Sequence, residues 1–237
     1  MPIIKDIQLL VPEDRDTNRI FFHQTRSISF LYSRLLPNLK IKEDKGILIN
    51  CVSNLSKIDS MDSDLYTMFN YFSVFVKVDV NKFFCLSSDL QKKQYALDII
   101  QEGMGKAADV FDWDKNIFRG IYKKIQNLNF QNTYTLMKKS SPNRYYVCNI
   151  ICDQGIFQID VYMEIKKKNG SIIKREKIFS VSDTYEQYIF EDWGTLSWKQ
   201  NHKVEFADKD HKEIFQLTFL EKESPENLLW KLVKRDG

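Results

Sequence analysis

The 237 residues of this chain include 35 basic and 32 acidic side chains, a formal net charge of +3, and 43% of the residues are hydrophobic. This composition is typical of a folded globular protein and excludes a largely disordered chain, while the nearly balanced charge excludes the strong overall basic field of a general nucleic-acid-binding protein. The sequence begins without an export signal, and no apolar run reaches the roughly 18 to 20 residues of a membrane-spanning helix, so we expect a soluble, cytoplasmic protein.

Three segments in the first 86 residues have the composition of β-strands. They span residues 27–36, 46–52 and 71–86 and are rich in β-branched and aromatic residues. In the third segment, apolar and polar residues alternate from Phe72 to Asn81. This alternation predicts a strand with one buried face.

A helical hairpin is predicted over residues 88–128. Ser88 and Gln91 have the spacing of a capping box, and apolar residues then recur at helical spacing. Asp112 can cap the second helix. Gly103 falls in the middle of the first helix, where a glycine either weakens the helix or allows close packing.

The chain from Thr133 onwards is predicted to form strands. The clearest feature is a hairpin in which Asn169-Gly170 supply the residues of positive φ between strands at 159–166 and 172–181. Further strands are predicted at residues 193–199, 203–207 and 213–220, and a short terminal helix at 224–230.

Strands, then two helices, then a longer run of strands predict an α+β fold. We expect antiparallel β-sheets with a central helical hairpin at about 88–128 and a C-terminal β-meander. The prediction is one domain over residues 1–237. Its sub-regions are residues 1–130, with the first strands and the hairpin, and residues 131–237, with the meander.

The sequence contains no recognised catalytic or metal-binding motif. Its three histidines, His23, His202 and His211, fall outside the metal-binding and nucleophile motifs. The stretch Asp208-Lys209-Asp210-His211 brings carboxylates and an imidazole together, but its lysine opposes a cation, so we favour a solvated turn. We therefore predict no catalytic residues, no bound metal and no cofactor.

The four cysteines are predicted to be reduced core residues. Cys51, Cys85, Cys148 and Cys152 lie in apolar stretches without the spacing of a disulfide framework. Cys148 and Cys152 would lie roughly 13 Å apart along one face of a strand. That separation is too long for a disulfide.

Positive charge is concentrated on the predicted hairpin around residues 166–177. Its candidates for contacting phosphate are Lys167, Lys168, Lys174 and Arg175. Basic residues also protect exposed edge strands from aggregation, and no aromatic residue interleaves these lysines. We therefore favour a structural role for the charges, and we keep a nucleic-acid-binding accessory protein as an alternative function.

Two other groups of residues could contact a protein partner. One consists of two tryptophans bracketed by polar residues, a pattern that occurs at protein interfaces. The other is a group of three aspartates in a Ser-rich turn, which lacks the glycine and terminal glutamate of a calcium loop. The candidate residues are Glu191, Asp192, Trp193 and Trp198 in the first group, and Asp59, Asp62 and Asp64 in the second.

One segment resembles a known class of proteins. The run Gln94-Tyr95-Ala96-Leu97-Asp98-Ile99-Ile100-Gln101-Glu102-Gly103-Met104, with Ala107-Ala108, Phe111 and Trp113 after it, resembles stretches of uncharacterised bacterial proteins that look like immunity proteins of polymorphic or contact-dependent toxins. The resemblance implies a non-enzymatic protein that binds a cognate toxin acting in the cytoplasm and occludes its active site. It implies no catalytic residues, because such families share none.

Two other functions remain open from the sequence. The first is the nucleic-acid-binding accessory protein described above. The second is a hydrolase with an unrecognised site, which would need His202 or His211 beside carboxylates in a cleft.

Overall fold

The structure is a computed structural model that describes residues 4, 6–39, 46–55, 71–220 and 229–236. The chain divides into two compact units, residues 1–132 and 133–237. Within the described residues, no helix combines the length and the hydrophobicity needed to cross a membrane.

A parallel three-stranded sheet lies at the centre of the first unit. Its strands, in the order β1-β2-β3, are β1 (Asp6–Leu10), β2 (Gly46–Val52) and β3 (Tyr71–Lys77). Every residue of β2 is buried, as expected for a central strand that is covered on both faces.

In the described part of this unit, four helices accompany the sheet. They are α1 (Arg15–Leu35), α2 (Val80–Cys85), α3 (Asp89–Phe111) and α4 (Lys115–Asn127). Helix α1 connects the parallel strands β1 and β2, and it contributes the fully buried Phe21, Ile28 and Tyr32 to the core of the unit. The core thus lies between the sheet and the helices.

Two of the predicted N-terminal strands are corrected by the structure. Residues 27–36 fall mainly in the second half of α1, where the Oγ atoms of Ser29 and Ser33 donate to carbonyls of the preceding turn. The composition of this segment suits a strand, but Ile28, Leu31 and Tyr32 fall on one helical face, which packs into the core. The strand predicted over 71–86 ends at Lys77, because α2 follows.

The helical hairpin and the α+β class are confirmed. The side-chain oxygen of Ser88 accepts from the Gln91 amide, and the Gln91 side chain accepts from the Ser88 amide, which completes the capping box. Asp112 adopts the left-handed conformation that ends α3, and Asp114, rather than Asp112, caps α4. The first sheet is parallel, however, because α1 connects β1 to β2 as a helical crossover. Most of the strand predicted at residues 27–36 lies in this helix.

The second unit contains two antiparallel four-stranded meanders. The first has the order β4-β5-β6-β7, and the second has the order β11-β10-β9-β8. A short helix, α5 (Glu186–Asp192), joins them. The strands are β4 (Thr133–Ser140), β5 (Tyr146–Gln154), β6 (Ile159–Lys167), β7 (Ile172–Val181), β8 (Trp193–Gln200), β9 (Lys203–Asp208), β10 (Glu213–Leu220) and β11 (Leu229–Asp236).

Aromatic side chains join the two sheets of the second unit. Phe179 of β7 stacks on Phe215 of β10 with 5.3 Å between ring centroids, and Tyr146 of β5 meets Phe219 of β10 edge to face at 5.0 Å. Such contacts stabilise the pair beyond the burial of apolar area alone. The inner faces of the two meanders therefore share one core.

Two details of the second unit differ from the sequence predictions. In the β6–β7 turn, only Gly170 has a positive φ (92°), so Asn169 does not share the left-handed role. The residues from 229 onwards belong to β11, which pairs with β10, and not to a terminal helix. The first part of that predicted helix, residues 224–228, lies outside the described residues.

Candidate functional site

Three segments from separate hairpins meet at one end of the second unit. They are residues 139–145, 167–171 and 198–203, and we call their common surface the basic end. The Lys168 amide donates to the Tyr145 carbonyl at 2.9 Å, and the Asn143 amide donates to Oδ1 of Asn201 at 3.0 Å. These bonds hold the β4–β5 turn against both neighbouring turns.

The basic end is rich in cations. Its segments contain Lys139, Arg144, Lys167, Lys168, Lys199 and Lys203 and no aspartate or glutamate. Of these, Lys199 contacts Glu205 of the neighbouring strand at 3.3 Å. The surface can therefore attract anionic or acidic groups.

Tyr145 is the most exposed aromatic side chain at the basic end, with 68% of its surface accessible. The turn before it is tightly bonded, because the Arg144 amide donates to the Ser141 carbonyl at 2.9 Å and the Ser141 amide to the Tyr146 carbonyl at 2.9 Å. Arg144 occupies the left-handed region, with φ of 61°. A fixed turn of this kind presents the phenol ring to solvent on a rigid base.

A shallow cavity of about 510 Å³ lies beside Tyr145. The described residues of its lining provide lysine ammonium groups, side-chain amides and phenol rings, with no carboxylate among them. Ammonium groups bind acidic groups, amides donate and accept hydrogen bonds, and phenol rings supply flat apolar area. The lining residues are Asn143, Tyr145, Tyr146, Lys167, Lys168 and Asn169.

The structure separates the four predicted phosphate-contacting residues into two pairs. Lys167 and Lys168 line the cavity at the turn. Lys174 pairs with Glu176 at 2.6 Å, and the Arg175 guanidinium lies 4.4 Å from the ring centroid of Tyr162. The second pair thus takes part in contacts within the sheet.

Further ion pairs balance the charge of the hairpin strands. Lys166 pairs with the buried Glu164 at 3.0 Å, and Lys177 pairs with Asp160 at 2.7 Å. Burial alone would raise the pKa of Asp160, but hydrogen bonds from Lys177, Ser180 and Gln158 and the charge of Lys177 outweigh it, so this pKa is lowered. The hairpin therefore offers free positive charge mainly at its turn.

The predicted tryptophan group lies along β8 and at the end of α5. The Trp198 indole at the basic end donates from Nε1 to the Lys139 carbonyl at 3.0 Å and meets Phe219 edge to face, so part of the ring is engaged within the unit. Trp193 begins the same strand, five residues away and roughly 16 Å along it. Glu191, in α5 before that strand, is exposed and accepts from Gln187 at 2.5 Å.

Of the other predicted partner-binding residues, Asp192 is the last residue of α5. Asp59, Asp62 and Asp64 lie outside the described residues.

The histidine-containing turn forms no metal cluster in the described part of the chain. Asp210 pairs with Lys212 at 2.8 Å, and the hydrogen bond from Lys212 lowers the pKa of Asp210. His211 follows in the left-handed conformation, with φ of 58°. No group of three His, Cys, Asp or Glu side chains is placed to hold a metal ion among the described residues.

The groups with strongly raised pKa values lie in the cores of the two units. Burial raises the pKa of the Tyr32 phenol and of the Cys51 and Cys148 thiols. Cys152 is also buried, but Cys85 is exposed, so the prediction that all four cysteines are core residues is wrong for Cys85. The reason is that Cys85 ends the short helix α2 instead of lying in a strand.

Sequence reasoning missed Tyr145 and Asn143. The available signal was Pro142-Asn143, a turn-forming pair between two strand-like segments. It indicates an exposed turn, but it does not indicate that this turn lies beside Lys167 and Lys168.

No family model matches the sequence, and no curated protein or solved structure is significantly similar to it.

Proposed function

We propose that this chain is a non-enzymatic binding protein of the immunity type, which neutralises a cognate cytoplasm-acting protein toxin by binding an acidic face of it. The observation that carries the proposal is the basic end. There an exposed Tyr145 stands beside Lys167 and Lys168 on a surface whose described segments contain no acidic residue.

The basic end has the composition of a binding hot spot. Tyrosine gives a large contact area at a small cost in side-chain entropy, and it is enriched among the residues that dominate interface energies. Lysines around it accelerate the encounter with an acidic partner and are most effective at low salt. A stable complex buries about 800 Å² on each side, so we expect the partner to extend beyond the cavity.

The resemblance of residues 94–113 suggests the kind of partner and not the contact surface. These residues span most of α3, and Leu97, Ile100 and Met104 of this helix are fully buried in the core of the first unit. A sequence likeness that involves buried residues reflects the packing of the core and not a binding surface. The proposed contact surface therefore rests on the second unit alone.

Nucleic acid is the second candidate partner. The hairpin sequence alone has no aromatic residue among its lysines, but Tyr145 of the neighbouring turn lies beside Lys167 and Lys168. Its ring can stack on a base while the lysines bind phosphate. Against it, Lys166, Lys174 and Lys177 along the strands are ion-paired. We favour a protein partner because a phosphate backbone needs a longer track of cations.

The test is co-expression with the product of each neighbouring gene, one of which the proposal expects to be a toxin. We expect the wild-type chain to restore growth and to co-purify with that product. The variant Tyr145→Ala/Lys167→Glu/Lys168→Glu should lose both effects, because it removes the aromatic anchor and reverses two charges. A matched control, Lys123→Glu/Lys124→Glu, reverses two exposed charges on α4 of the first unit and should keep both.

Each contrary result has a separate meaning. Rescue by the triple variant would remove the basic end from the proposal, and a chain that protects against no neighbouring product would remove the immunity function. Salt-sensitive binding of single-stranded DNA or RNA that the triple variant alone loses would favour the nucleic-acid alternative.

A further inference from the structure

A second surface lies in the first unit, at the carboxyl end of β1. The chain leaves the sheet at Leu10 and enters α1 at Arg15, and a cavity of about 750 Å³ lies beside this connection. In open parallel sheets, ligands bind outside the carboxyl ends of the strands. The size of the cavity also falls within the range of small-molecule sites, and the cavity is wide open to solvent.

Two arginines and a histidine line this cavity from one face of α1. Arg15, Arg19 and His23 are spaced four residues apart, so they form one row over two helical turns. Neither Arg15 nor Arg19 has a hydrogen-bond or ion-pair partner among the described residues. The nearby Asp16 also lines the cavity, and it offsets part of the charge.

The other arginines of α1 are explained by folding. The buried Arg26 pairs with Asp6 at 2.8 Å and donates to the Ile7 carbonyl at 3.1 Å. Arg34 donates to Oδ1 of Asn132 at 2.6 Å. Arg15 and Arg19 have no such role among the residues that the structure describes, which leaves their exposed guanidinium groups available to a ligand.

The rest of the lining indicates what kind of ligand fits. Leu10 and the half-buried ring of Phe22 supply apolar area, while the guanidinium groups suit the paired oxygens of phosphate. The helix terminus itself adds little, because the Asp14 side chain already accepts from the Thr17 amide at 3.1 Å. We infer that this cavity binds a small phosphate ester with a planar ring, such as a nucleoside phosphate, with its phosphates on Arg15 and Arg19 and its ring against Phe22.

Titration calorimetry on the full chain tests this inference with ATP, pyrophosphate and an acidic hexaglutamate peptide as probes. We expect ATP and pyrophosphate to bind saturably and ATP to bind more tightly. Arg15→Gln/Arg19→Gln should weaken both at least about tenfold, since the substitutions remove charge-assisted hydrogen bonds to the phosphate oxygens. Phe22→Leu should weaken ATP alone, and Lys123→Gln/Lys124→Gln, which removes two exposed charges elsewhere, should change neither.

Three outcomes would overturn the inference. They are the absence of saturable ATP binding, an equal loss in both double-glutamine variants, and binding of hexaglutamate in preference to ATP. Circular dichroism of each variant checks that its fold is retained. We expect the arginine variant to keep its fold, because Arg15 and Arg19 are exposed and support no contact of the fold among the described residues.

Discussion

At the scale of single residues, Gly103 and Gly105 of α3 provide a matched pair. A Cβ atom on Gly103 would lie 2.7 Å from Cδ1 of Ile49, a fully buried residue of the central strand, whereas a Cβ on Gly105 would meet nothing within 4 Å. We predict that Gly103→Ala lowers the free energy of unfolding by about 1 to 3 kcal/mol through overpacking. Gly105→Ala should raise it by about 0.5 to 1 kcal/mol through helix propensity.

Urea unfolding followed by circular dichroism measures both changes. The opposite signs are the informative result, because helix propensity alone predicts that both substitutions stabilise the protein. Stabilisation by Gly103→Ala would mean that β2 and α3 do not pack as closely as the structure has them.

The four cysteines differ in the solvent exposure of their thiols. Cys51, Cys148 and Cys152 are buried and Cys85 is exposed. We predict that native protein reacts rapidly with Ellman's reagent at one thiol per chain and that Cys85→Ser removes this reaction. Fast reaction of a second thiol in the native state would contradict the burial of the other three.

The raised pKa values of two of these thiols affect stability at alkaline pH. Burial keeps Cys51 and Cys148 protonated in the folded protein, while the thiols of the unfolded chain ionise at about pH 8.5. Above that pH the folded state holds more protons than the unfolded state. The contribution of these two thiols to the free energy of unfolding is therefore intact below about pH 8.5 and is lost as the pH rises above it. We predict that the free energy of unfolding falls between about pH 8.5 and 10, and less steeply in Cys51→Ala, in urea titrations at each pH.

At the scale of secondary-structure elements, the capping box at the start of α3 is the strongest local signal. Ser88 satisfies the Gln91 amide, with 3.2 Å between donor and acceptor. We predict that Ser88→Ala lowers the free energy of unfolding by about 1 kcal/mol. Ser88→Asp, which keeps an acceptor and suits the helix dipole, should retain the wild-type value in the same urea titration. An equal loss in both variants would show that the serine acts in another way.

The comparison of α1 with α3 shows which elements the sequence could predict. Ser88 and Gln91 act over four residues, so the start of α3 is visible locally. The second half of α1 is rich in residues that also suit strands, and its helical state depends on burying Ile28 and Tyr32 against distant parts of the chain. The parallel first sheet was missed for the same reason.

The candidate site was predictable only in part, for a similar reason. Lys167 and Lys168 are adjacent in sequence, so their charge was evident. Their proximity to Tyr145 depends on the hydrogen bond from the Lys168 amide to the Tyr145 carbonyl, which joins two separate hairpins. Contacts of this kind follow from sheet register, which a linear pattern does not specify.

At the scale of the whole molecule, the division at residues 132 and 133 is the main feature. The last residue of the first unit is firmly held there: Asn132 is fully buried, donates to the Ser27 carbonyl at 2.8 Å and accepts from Arg34. The second unit begins immediately afterwards with β4, which pairs with β5. A cut between these residues therefore leaves the described contacts of Asn132 and the pairing of β4 intact.

We expect residues 133–237, expressed alone, to fold into antiparallel sheets and unfold cooperatively, because the two meanders share an aromatic core. Since the basic end belongs to this unit, the fragment should retain affinity for the partner of the full chain. Circular dichroism and a binding titration measure both properties. An unfolded fragment would favour the single domain predicted from the sequence, whereas a folded fragment that does not bind would place the contact surface in the first unit.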